Sequence, residues 1–188
     1  IAGRQRSDMD TAIDRSRPPS RHLLWLELRG IWELQAFFAA YPLLRLAPRG
    51  DGRPVLVLPG LAASDASTRP LRAYLTEQGY AAHGWKQGRN HGPRPGVEAG
   101  IEARLAELSG RDRRKVSLIG WSLGGVYARE MAKDLPGDVR CVITLGTPFR
   151  GSPRATNAWR VYEFASGETV DTINREEIER PPPLPTTS

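Results

Sequence analysis

The residues best suited to chemistry are Gly120-Trp121-Ser122-Leu123-Gly124, a Gly-x-Ser-x-Gly sequence. The apolar run Val116–Ile119 precedes it, and a stretch of helical composition, Leu123 to Asp134, follows. In a strand–turn–helix setting, this spacing suits a nucleophilic serine that forms an acyl-enzyme. A turn that tight holds the serine backbone in strained geometry. Gly120 and Gly124 carry no Cβ, so the flanking chains can close on each other. The Ser122 hydroxyl is then held above the sheet edge, with a helix N-terminus behind it that favours developing negative charge. A bare Gly-x-Ser-x-Gly is also compatible with a structural turn, so the strand before it and the helix after it carry the reading.

Acyl transfer needs two backbone N–H donors for the tetrahedral oxyanion. One is expected from Leu123, just after the nucleophile. The other is expected from the loop after the first strand, Pro59-Gly60-Leu61-Ala62, with Leu61 as the choice and Ala62 as the alternative. The segment Leu145-Gly146-Thr147-Pro148-Phe149-Arg150-Gly151-Ser152 ends another strand, at the edge where open α/β sheets bind ligands. It reads equally well as an ordinary Gly/Pro turn. Trp121 and Phe149, with Leu61, are the candidate apolar contacts for a substrate.

The general base is the missing part. The histidines are His22, His83 and His91, and all precede Ser122. A serine nucleophile needs a base within hydrogen-bond reach, most often a histidine. A rearranged Ser122–His91–Asp65 set would require its own hydrogen-bond geometry. Glu163, Glu168 and Asp171 follow the serine but match no acid position. No catalytic base or acid is therefore assigned.

The elements that would position Ser122 alternate. Leu24, Leu28, Ile31, Leu34, Phe38 and Leu43 recur near helical spacing, predicting an amphipathic helix that packs on the domain and is ended or bent by Pro42 and Pro48. Val55–Leu58 reads as a strand buried on both faces. A helix starts near Ser67-Thr68 with Pro70 and runs to Gln78-Gly79. Tyr80–Trp85 is a weaker strand, followed by a Gly/Pro/Asn loop over 88–96. Val97, Ile101, Leu105 and Leu108 form a helical face ended by Gly110. Lys115–Gly120 is a third strand, Leu123–Asp134 a helix, and Val139–Leu145 a fourth strand. The alternation predicts a parallel, doubly wound α/β sheet. Short helices are possible over 159–180, and Pro181–Pro185 is extended. Residues 1–20 form a polar lead-in and residues 21–188 one domain.

Of 27 basic residues, only Lys86, Lys115 and Lys133 are lysine. The arginines are scattered, with no basic helix face, so a net charge of +6 is no nucleic-acid footprint. Contact with a membrane surface has the same thin basis. The one long apolar segment carries Glu27, Arg29, Glu33 and Arg45, against a membrane span. No signal peptide reads in the sequence, which favours the cytoplasm. Cys141, the only cysteine, is expected to be a small core residue.

On Val55–Ala62, Gly88–Pro93, Val116–Gly125 and Thr144–Ser152, the chain resembles the α/β-hydrolase superfamily, in its bacterial triacylglycerol esterase/lipase-like branch. The likeness covers about residues 54–152. It implies cofactor-free, metal-independent hydrolysis of a small-molecule ester or lipid, with Ser122 as nucleophile and Leu61 and Leu123 at the oxyanion positions. Acyl transfer would use the same machinery. It also implies that the strands found are the third to sixth of the family's sheet, that the sixth is left as an open edge, and that the usual acid and histidine would lie beyond Ser188. The competing expectation is a non-catalytic, hydrolase-like binding module.

Overall fold

The computed structural model describes residue 36, residues 39–147 and residues 180–188. Among the described residues, after a helix that ends at residue 44, eight elements follow in order: β1 (Pro54–Leu58), α1 (Arg69–Glu77), β2 (Ala81–Gly84), α2 (Val97–Asp112), β3 (Val116–Trp121), α3 (Leu123–Asp134), β4 (Val139–Leu145) and β5 (Thr186–Thr187). The strands form one sheet in the order β2-β1-β3-β4-β5, and all neighbouring pairs run parallel.

All five residues of β1 are buried, because helices cover both faces of the sheet. Leu56 and Leu58 enter a cluster with Ile101, Leu105 and Leu108 of α2 and with Tyr127, Ala128, Met131 and Ala132 of α3. Val55 and Val57 point the other way and join Ile119 in a smaller cluster, packed on Leu71 and Leu75 of α1. Strand alternation thus divides one apolar run between two cores. The doubly wound α/β architecture expected from the sequence is present.

Several boundaries differ from the expectation. Gly110 lies inside α2 rather than ending it. The helix stops where Arg113 turns left-handed, at φ 49°, and its N–H returns to the Ser109 carbonyl. A mid-helix glycine costs only about 1 kcal/mol relative to alanine, so it does not by itself stop a helix. A fifth strand continues the sheet past β4, so β4 is not an edge. The Val142 N–H donates to the Pro185 carbonyl at 3.0 Å, and the Thr144 hydroxyl donates to the Ser188 hydroxyl at 2.8 Å. A Thr-Thr pair after a proline run carries no apolar pattern, so this strand exists through its pairing.

The helix read over the first apolar segment is described only at residue 36 and over residues 39–44, with Pro42 inside it. It does not pack there by the expected stripe, since Leu43 is 72% exposed. Tyr41 instead meets Tyr74 of α1 edge-on, with centroids 5.7 Å apart, and donates its hydroxyl to Glu77. The Leu44 carbonyl, an orphan of the last turn, accepts from the Tyr74 hydroxyl at 3.0 Å and from the Gln78 amide at 3.3 Å. Cys141 is half-buried rather than core, with its Sγ 3.5 Å from the Ser117 hydroxyl. The polar lead-in of residues 1–20 and the possible short helices over 159–179 lie outside the described residues. No described helix is long and apolar enough to cross a membrane.

Candidate functional site

Ser122 joins the end of β3 to the start of α3, at φ 51° and ψ −121°. This is a sparsely populated region for a residue with a side chain, with a strain of about 1–3 kcal/mol. Serine is among the best helix N-caps because its oxygen normally accepts a first-turn N–H. Here it occupies the N-cap and makes no such bond. Its backbone is engaged instead: the N–H donates to the Leu145 carbonyl at 2.9 Å, and its carbonyl accepts from Gly125 at 2.9 Å. The turn is therefore fixed while the hydroxyl remains outside the capping network.

The neighbouring glycines allow the bend. A Cβ on Gly124 would stand 2.3 Å from the Leu58 carbonyl oxygen. One on Gly120 would stand 2.3 Å from the Gly124 carbonyl oxygen and from Gly125 Cα. The first turn of α3 thus rests directly on the ends of β1 and β3. The corner after β1 closes over Ser122 as well. A Cβ on Gly60 would lie 3.2 Å from Ser122 Cβ and 3.7 Å from the Trp121 ring.

The expected donors stand on either side of this contact. The N–H groups of Leu61 and Leu123 donate to no described residue, and Leu123 opens a helix of 12 residues. The N–H of Ala62, the alternative to Leu61, donates to the Asn90 carbonyl at 2.7 Å. Trp121 pairs with Leu145 across β3 and β4, and the two leave apolar surface at the sheet edge, 47% and 41% exposed. Phe149, and the segment from Pro148 to Ser152, lie outside the described residues. Thr147 packs on α3: a Cβ on Gly125 would meet its hydroxyl at 1.9 Å.

The rearranged triad is not assembled. The Asp65 carboxylate accepts the backbone N–H groups of Trp85 and Lys86, each at 3.0 Å. His91 is exposed, and no hydrogen bond joins it to Asp65 or Ser122. His83 sits in β2, with β1 between it and β3, and its Nε2 lies 3.4 Å from the Arg111 guanidinium. Burial first, then the charges of Arg104 and Arg111, hold the His83 imidazole below its ordinary pKa of 6.5. Asp112 and Glu107 oppose that shift. An open groove lined by Arg69, Arg72, Ala73, Thr76, Glu77 and Ala82 lies on α1 and β2, away from Ser122. No cluster of metal-ligating side chains occurs among the described residues.

Sequence reasoning passed over Asn90. It is wholly buried in the Gly/Pro loop after β2. Its Nδ2 donates to the Pro59 carbonyl at 2.8 Å, and its Oδ1 accepts the Gly92 N–H at 3.0 Å. An asparagine among glycines and prolines reads as a turn residue, so only its burial reveals this role.

No protein-family model matches the chain, and no curated protein matches it in sequence. Solved structures do show likeness. The mature form of the Bacillus licheniformis lipase BlEst2 is 23% identical, over 71% of this chain and 59% of that one, with a TM-score of 0.49. The propeptide form of the same lipase is 26% identical, over 56% of this chain and 25% of that one, with a TM-score of 0.42. The α/β hydrolase MGS-MChE2, from a lagoon-sediment metagenome of Mar Chica, Morocco, is 21% identical, over 73% and 67%, with a TM-score of 0.49. This chain therefore spans a quarter to three-fifths of the length of the two lipase structures. In its own sheet order, its parallel register and the strained bend at Ser122, the chain has the α/β-hydrolase type of fold.

Proposed function

We propose that this chain carries the nucleophile and the oxyanion hole of a serine carboxylester hydrolase, esterase- or lipase-like, with Ser122 in a nucleophile elbow. The observation that carries the reading is the positive-φ serine at a strand-to-helix turn, packed so closely under the β1 corner that a Cβ added to Gly60 would lie 3.2 Å from its own Cβ. Strain of this kind persists where neighbours over-determine it, and it aims the hydroxyl away from its capping role.

In the proposed reaction, Ser122 Oγ attacks the ester carbonyl carbon and gives its proton to a base. The carbonyl oxygen becomes an oxyanion that receives the Leu61 and Leu123 N–H groups, with the N-terminus of α3 behind it. The alcohol leaves with a proton, and water releases the acid from the acyl-enzyme. Trp121, Leu145 and, by its place in the sequence, Phe149 supply apolar surface for the acyl part. The substrate class is a small-molecule ester or lipid, and no cofactor is required. Transfer of the acyl group to an acceptor other than water would use the same residues.

A second reading, a non-catalytic hydrolase-like binding module, draws on one observation. No described histidine engages the Ser122 hydroxyl. Treatment of the chain with a fluorophosphonate, with the adduct located by peptide mass, separates the two. Labelling at Ser122, absent in Ser122→Ala, is the expected result. A folded chain that stays unlabelled would overturn the reading that this chain activates Ser122 by itself, leaving a nucleophile's scaffold without its base or the binding module.

A further inference from the structure

We infer that Asn90 is a positioning residue for the oxyanion donor, holding the peptide that carries the Leu61 N–H against Ser122. The inference rests on the serine-hydrolase reading and adds to it a residue that never touches substrate.

The bonds of Asn90 grip the β1 corner on both sides of Leu61. Before it, the side-chain amide donates to the Pro59 carbonyl at 2.8 Å. After it, the Asn90 carbonyl accepts the Ala62 N–H at 2.7 Å, and the Asn90 N–H donates to the Ala63 carbonyl at 2.7 Å. The corner closes on itself where the Ala63 N–H donates to the Gly60 carbonyl at 3.1 Å. Leu61 lies between these anchors, and its N–H donates to no described residue. Gly60, one residue earlier, faces Ser122 so closely that a Cβ added to it would lie 3.2 Å from Ser122 Cβ.

A buried amide is costly unless its polar groups are matched. At Asn90 both ends of the amide are used, since Oδ1 takes the Gly92 N–H at 3.0 Å while Nδ2 takes the Pro59 carbonyl. An apolar residue of similar size would fill the space and keep the two main-chain bonds to Ala62 and Ala63, but it would free the Pro59 side of the corner. An N–H aimed at a developing oxyanion must be fixed before the reaction, and a misplacement of about 1 Å costs about 10²-fold in rate. Asn90 is the residue whose bonds fix it.

The test uses the full chain, isotopically labelled, as the parent, as Asn90→Ala and as Asn90→Asp. The aspartate keeps an acceptor for Gly92 but, when ionised, has no proton to donate to Pro59. It is the variant to read if the alanine does not fold. In both variants the Leu61 and Ala62 amide resonances shift and the Ala62 amide exchanges faster, while the amides of Val57 and Leu118 in the sheet hold their positions. With an activated ester, kcat falls by about 10²-fold with KM nearly unchanged. The rate ratio between an oxygen ester and its thionoester falls too, because a sulfur anion uses the hole poorly and a displaced hole no longer discriminates.

If the Leu61 amide is unmoved in both variants, the inference is wrong. It is equally wrong if activity falls only in step with folded protein while the oxygen-to-sulfur ratio is retained. A parent chain that turns over no ester, combined with shifted Leu61 and Ala62 amides in the variants, would overturn hydrolysis by this chain alone and leave Asn90 as the holder of this corner.

Discussion

Two turns meet at the carboxyl edge of the sheet and use their polar groups to different extents. The loop after β1 is densely bonded: its Asp65 takes two backbone N–H groups, and Asn90, from the loop after β2, bonds to its Pro59, Ala62 and Ala63. In the turn after β3, the Ser122 hydroxyl caps nothing, the Leu123 N–H donates to no described residue, and the backbone sits at φ 51°. Both turns hold a positive-φ residue, Ala62 at 59° and Ser122 at 51°, and both leave an N–H without a described acceptor, at Leu61 and Leu123, but the first is bonded through far more of its other polar groups. The difference teaches that the second depends on the first: a strained turn holds its shape when a rigid neighbour leaves it nowhere to relax.

Substitutions can break this comparison, beginning with the largest effect. Gly124→Ala places a Cβ 2.3 Å from the Leu58 carbonyl oxygen and 2.7 Å from the Pro59 carbonyl oxygen, both of them backbone that cannot swing aside. It is expected to cost about 3 kcal/mol or more, read from the urea midpoint. A variant as stable as the parent would mean that the two turns do not press on each other. Asp65→Ala leaves the Trp85 and Lys86 N–H groups without their acceptor, for a loss of about 2 kcal/mol. Calorimetry of the pair of proteins checks it, and an unchanged melting temperature would remove the claim that the β1 loop is the rigid partner.

The strained turn should respond differently. At an ordinary position, a change to glycine costs about 0.5–1 kcal/mol. At Ser122, relief of the positive φ offsets that cost, so Ser122→Gly is expected to be at least as stable as the parent to within about 0.5 kcal/mol. A clear loss in chemical denaturation would show that the serine is not strained.

The smallest effect lies away from both turns. The folded-state pKa of His83 is below its ordinary value of 6.5, chiefly through burial. The unfolded chain therefore binds the proton more readily, and stability rises with pH between the two values. The contribution is complete above about pH 6.5 and is lost as the pH falls through the lower, folded-state value. His83→Gln should flatten that part of the stability–pH curve. An unaltered slope would assign the acid sensitivity to other groups.

Much of this was legible in the sequence for local reasons. Val55–Leu58 is apolar without interruption because both faces are covered, and Gly120, Ser122 and Gly124 are spaced by the turn itself. Other features depend on distant partners. Nothing in Thr186-Thr187 announces a strand, since its pairing with Val142 and Ile143 crosses more than forty residues. Nothing in Arg113 announces a left-handed helix stop, and Gly110 offered the more familiar one. Leu43 fitted a helical stripe, yet aromatic and polar contacts from Tyr41 and Leu44 join the end of that helix to α1. That the Ala62 N–H is already engaged depends on the Asn90 carbonyl, in another loop.

The register of the sheet has a consequence for the order of assembly. Ser122 lies within β3–α3–β4, where Val116 pairs with Val139. The Gly60 corner arrives only when β1 joins β3, and that pairs residue 55 with residue 117, across more than twice as many residues. Closing the longer loop costs about 1 kcal/mol more in chain entropy, and pairings distant in sequence form slowly. The two halves of the proposed site should therefore mature at different times. In refolding from urea, the helical signal of α3 should return before Ser122 accepts a fluorophosphonate, and a serine labelled as soon as the helix forms would show that the bend needs no help from β1.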